Sequence, residues 1–145
     1  MDVNWNDPNS KVSRYFTVKE AIWFPQWNRC ATEKDGVGLA QKQNLINLFN
    51  MLDKVRDIFG KPMIVHVAYR SYSYNKLVKG APASSHILGM ACDFHVKDVE
   101  CDEVRKVLVD KLENLGFRME DLPGSSWIHL DIRPVPKGGA RYFKP

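Results

Sequence analysis

The sequence predicts an α+β domain, a small and mainly antiparallel sheet with helices packed on one face. Two observations carry this. Between residues 39 and 59 the apolar residues Leu45, Phe49, Leu52, Val55 and Phe59 recur at three- and four-residue steps, which draws one stripe along a long helix. In residues 90 to 96 and 127 to 133, apolar and polar residues instead alternate with a period of two, as in strands that turn one face to a core. With 145 residues, 44% hydrophobic and 26% charged, the chain has ordinary globular usage and enough length to bury a core without staples. One domain over residues 1–145 is expected.

Each element has a local reason. Residues 16 to 24 read as a short helix with Thr17 as N-cap and Glu20 three residues on, the spacing of a capping box, and Pro25 ends it. The stretch 25 to 38 is rich in turn formers and reads as a loop. Gly60 stops the long helix, and MIVHVAY from Met63 is β-branched and strand-like. That strand delivers Arg70 into a loop, residues 71 to 85, with one helical turn around Asn75.

In the strand at 90 to 96, Met90, Cys92, Phe94 and Val96 share one face, and Ala91, Asp93 and His95 the other. Asp98 is the expected cap of a helix from Val99 to Leu115, striped by Val104, Val107, Leu108, Leu112 and Leu115 and closed by Gly116. Two short strands joined through Pro-Gly-Ser follow. In the second, Ile128, Leu130 and Ile132 oppose Trp127, His129, Asp131 and Arg133. The tail from Pro134 reads as loop.

Charge and cysteine usage bound the function. A net charge of +4 and a pI near 9.0 favour polyanionic company, but Lys and Arg are spread without a dense block, so no specific nucleic-acid binding is expected. Cys30, Cys92 and Cys101 are odd in number and lack CxxC spacing, which points to reduced thiols. No apolar run is long enough to span a membrane, and the start lacks the pattern of a secretory signal. The expectation is a soluble, monomeric chain made in the cytoplasm.

The polar faces of the two alternating strands hold the chemistry. His86, Asp93 seven residues later and His129 are able to supply three ligands to zinc and leave a fourth position for water. A Leu-Gly turn after His86 lets the chain reverse toward Asp93. His66 reads as structural, whereas His95 is either an outer partner of the site or a surface residue.

The run VHVAYRSYSYN, KGAPASSHILGMACDFHV and SSWIHLDIRP resembles the zinc family of D-alanyl-D-alanine carboxypeptidases and L-alanyl-D-glutamate endopeptidases. That family includes many phage endolysins and shares a fold with the Hedgehog signalling domain. The residues that carry the likeness are Tyr69, Arg70, Ser71, Asn75, Gly80, Ser84, His86, Gly89, Ala91, Asp93, His129 and Asp131, in the family's order. The resemblance implies a zinc cleft on the sheet face away from the helices, with His86, Asp93 and His129 as ligands.

It also implies that Arg70 holds substrate and steadies the oxyanion, that Ser84 binds substrate, and that the substrates are peptidoglycan stem peptides met in the cell wall after release. Trp127 is assigned to stacking on substrate, with packing at the cleft rim as the alternative. Some branches place a catalytic acid three residues before the last histidine, where this chain has Ser126. Asp131 is then the first candidate base, followed by His95 and Glu120. The runner-up reading is a non-catalytic zinc-binding module of the same fold, which binds cell wall or a protein partner.

Overall fold

Capping chemistry starts the first helix. In the computed structural model, which describes residues 2–145, Thr17 accepts from the Glu20 backbone while the Glu20 carboxylate accepts from the Thr17 backbone, and α1 runs Val18–Ile22. Trp23–Phe24, expected as the end of this helix, instead form β1, which pairs with β2 (Arg29–Cys30) in the stretch expected to be loop. The turn between them follows Pro25, and Asn28 takes the positive φ there that Asn tolerates well. Helix α2 covers Leu39–Phe59 and ends at Gly60, as the stripe predicts. Leu45, Leu48, Phe49, Leu52 and Val55 are fully buried. Emptying one of these positions, for instance Phe49→Ala, costs about 3–5 kcal/mol.

The sheet is built from β3 (Met63–Val67), β4 (Ala91–Val96), β5 (Arg118–Glu120), β6 (Ile128–Asp131) and β7 (Tyr142–Phe143), in the order β3-β4-β6-β5-β7. Every pairing is antiparallel except β5 with β7. Cys92, Phe94, Val96, Ile128, Leu130 and Met119 join the buried residues of α2 in one core cluster. The period-two pattern therefore does what it predicts: alternate residues of β4 and β6 close the core, and Asp93 and His129 are left on the other face. Strand β7 corrects the expectation of a loop-like tail. Two residues are too few for a periodic signal, and their pairing is supplied by β5 rather than by local sequence.

Helix α3 (Tyr72–Leu77) is the turn expected around Asn75, capped by the Ser71 hydroxyl. The next helix is not the continuous one expected. Asp98 takes a positive φ in the turn after β4, and Glu100 stands at the N-cap of α4 (Cys101–Leu108). A 3-10 turn at Val109–Lys111 separates it from α5 (Leu112–Leu115), which ends at Gly116. The stripe survives that break because Val104, Leu108 and Leu112 still reach the core. Buried Arg105 of α4 donates to the carbonyls of Ser125 and Trp127, which pins the loop leading into β6. Among the described residues no helix is long and apolar enough to cross a membrane.

Candidate metal centre

Strand register brings the three predicted ligands together. Asp93 of β4 lies directly across from His129 of β6, and both are at most 9% exposed. His86 arrives from the turn before β4. Gly89 shapes that turn with φ +73°, and a Cβ there would come within 2.8 Å of the Gln41 carbonyl of α2. The glycine is thus needed for handedness and for close approach. Asp93 Oδ1 ends 3.3 Å from His86 Nε2 and 2.9 Å from His129 Nδ1.

The donor set fits zinc. Two imidazole nitrogens and a carboxylate oxygen lie within 4.8 Å of one another, and tetrahedral ligands at about 2.0 Å from an ion stand roughly 3.3 Å apart. Both rings are also held from behind. His86 Nδ1 donates to the Ala68 carbonyl (2.7 Å), so Nε2 is its free nitrogen, and His129 Nε2 donates to Asp131 Oδ2 (2.9 Å), so Nδ1 faces the cleft. Such outer partners set the tautomer and raise ligand basicity.

Electrostatics follow from this arrangement. Burial pushes Asp93 upward, but the adjacent His86 and His129 outweigh it and hold the carboxyl well below the usual range. Burial pushes His129 down, yet hydrogen bonds to Asp131 and Asp93 and the nearby Glu120 charge raise it to about 9. Loss of the Nδ1 proton is what would turn this ring into a ligand.

The remaining predicted residues fall around a cleft of about 590 Å³. Arg70 follows β3 on the near wall. Its Nη1 donates to Asn75 Oδ1 (3.3 Å) and its Nη2 to Asp93 Oδ2 (3.4 Å), while its buried Nε has no partner among the described residues. Asn75 is itself fixed by donating to the Ala81 carbonyl. Ser84 lines the cleft and accepts from the His86 backbone N–H, and Trp127 stands at the rim, 38% exposed.

Asp131 is fully buried, and Arg118 donates to both its oxygens at 2.7 and 3.0 Å. The side chains of Arg133 and Arg141 donate elsewhere, to the carbonyls of Ala83 and Phe117, and Arg133 reaches Asp131 only through its backbone N–H (3.3 Å). His95 is not part of the metal group but meets His66 at 2.6 Å in a separate recess that Ser126 also lines. A bulge between Val65 and Val67 swings His66 to that partner.

Arg118 is a cleft residue that reading the sequence missed. Its signal was the alternation in Arg118-Met119-Glu120, which buries Met119 and turns its two charged neighbours toward the polar residues of β6. Phe143 of the tail was missed as well. It stacks over the Arg118 guanidinium at 4.3 Å and stands edge-on to His129.

Fold and site together define a chain able to hold one divalent metal between two histidines and an aspartate at the floor of a polar cleft. The chain belongs to the family described as Peptidase M15, whose model it matches over residues 24–131. It is 27% identical over 96 residues to the peptidoglycan L,D-endopeptidase MepK of Escherichia coli strain K12, and equally to that of Shigella flexneri. The match covers 61% of this chain and 50% of either relative, so the chain spans about half the length of the curated relatives it matches.

Proposed function

We propose that residues 1–145 form a zinc-dependent peptidase domain that hydrolyses a peptide bond next to a D-amino acid in peptidoglycan stem peptides. The observation that carries this is the convergence of His86 Nε2, Asp93 Oδ1 and His129 Nδ1, both rings oriented from behind, beside a half-buried Arg70 whose buried Nε lacks a partner among the described residues. Membership in a peptidase family and the likeness to MepK, a peptidoglycan L,D-endopeptidase, support the reaction and the substrate class.

Zinc held by these three residues supplies a Lewis acid and an activated water. The chain's own residues do the rest. Arg70, braced by Asn75, presents donors to the scissile carbonyl as negative charge grows on its oxygen. Ser84 and Trp127 orient the peptide along the walls. Asp131 has no exposed atom and both oxygens engaged, so its role is to orient His129 rather than to take a proton from water.

The basic balance and the likeness to phage endolysins favour action on an anionic wall. A gene far from any lysis or virion-assembly cluster would count against a phage origin. The test of the activity is mass spectrometry of purified peptidoglycan incubated with the protein, with and without chelator and zinc add-back. New stem-peptide fragments that vanish with chelator are expected. An unchanged digest from zinc-loaded protein would favour the binding-module reading.

A further inference from the structure

We propose that Glu120 of β5 is the general base of this cleft, a role that rests on the peptidase reading above. Among the described residues, three carboxylate side chains line the cleft: Asp93, Glu120 and Asp131. Asp93 is a ligand in the His-Asp-His group, and Asp131 is saturated by Arg118 and His129. Glu120 alone takes no hydrogen bond among the described residues, and its side chain keeps 21% exposure.

The sheet places it. Strands β5 and β6 pair Arg118 with Asp131 and Met119 with Leu130, so the next step along the register sets Glu120 opposite His129. Its Oε1 lies 3.8 Å from His129 Nδ1, the nitrogen that faces the metal position. The serine three residues before His129 offers no rival. Ser126 is exposed and lines the recess of His66 and His95 instead of the cleft. Arg70, Lys79, Arg118, Arg133 and Lys144 also line the cleft, but their side chains are hydrogen-bond donors with no acceptor.

The step balances without another reactant. As a water oxygen bonds to the scissile carbonyl carbon, one of its protons moves to the Glu120 carboxylate. When the C–N bond breaks, that proton passes to the departing amine, the products are an acid and an amine, and Glu120 returns to its ionised form.

The experiment compares the parent with Glu120→Gln, Glu120→Asp and the double variant E120Q/S126E. For each, zinc stoichiometry, calorimetric affinity for a stem peptide and turnover are measured. Expected for Glu120→Gln is parental zinc content, peptide affinity within threefold, and turnover lower by about 100- to 10,000-fold. Glu120→Asp should regain part of that loss, and Ser126→Glu in the E120Q background should regain none. Turnover within threefold of an active parent, loss of zinc from Glu120→Gln, or rescue by Ser126→Glu would each overturn the role of Glu120 alone. A zinc-loaded parent that cuts no stem peptide would overturn the peptidase reading and the base together.

Discussion

Replacing Asp131 with asparagine tests whether the metal centre is held from behind as the hydrogen bonds imply. The substitution keeps the shape but removes the charge that both Arg118 and the His129 Nε2–H point at. Two costs follow. Loss of an outer carboxylate partner weakens metal affinity by about 10- to 100-fold, which is about 1.4–2.7 kcal/mol. Asp131 is fully buried and Arg118 only 14% exposed, so breaking their pair also removes about 3–5 kcal/mol of stability in the metal-free protein.

The first cost is read by zinc competition against a chromophoric chelator, the second by urea unfolding in excess chelator. Arg118→Met and the double variant complete a cycle. The double variant should lose at least about 1 kcal/mol less than the sum of the singles, because each single leaves one buried charge unpaired. Zinc affinity within twofold of the parent, with an unchanged urea midpoint, would show that Asp131 neither orients His129 nor anchors Arg118.

Other perturbations separate metal binding from turnover. His86→Ala and Asp93→Ala should abolish zinc occupancy and activity together, while Arg70→Ala keeps full zinc and loses turnover; elemental analysis alongside a digest assay distinguishes them. Gly80→Ala should mimic part of the Arg70 loss. A Cβ at Gly80 would lie 2.1 Å from Asn75 Oδ1 and 2.9 Å from Arg70 Nη1, so the brace must move, and a shift of about 1 Å can cost 10²-fold in rate with zinc content unchanged.

Arg29 holds Asp35 down at about 2, and the Asp35 carbonyl accepts from Tyr69 OH at 2.7 Å, one residue before Arg70. A depressed carboxyl contributes stability above its unfolded value of about 3.9 and loses it as pH falls through about 2. Asp35→Asn should therefore lower the urea midpoint at pH 7, with the difference from the parent shrinking toward pH 2.

What could be read in the sequence follows from which forces are local. The capping box at Thr17, the stripe of α2 and the period-two faces of β4 and β6 are all written within a few residues, and each appears where it is expected. The same alternation that closed the core also turned Asp93 and His129 into one cleft, because register across antiparallel strands makes them neighbours. Two features escaped because their partners lie elsewhere in the chain. Nothing within Tyr142–Phe143 asks for a strand until β5 offers an edge, and Asp131 chooses Arg118 over nearby Arg133 only because β5 sets Arg118 directly across from it. The helix break at Val109–Lys111 leaves Val104, Leu108 and Leu112 in the core, so apolar spacing alone could not reveal it. Identity of the cleft residues was therefore legible from pattern, but the division of labour among its carboxylates was not. Asp131 and Glu120 differ in role through burial and strand order, which exist only once β5, β6 and β7 are assembled.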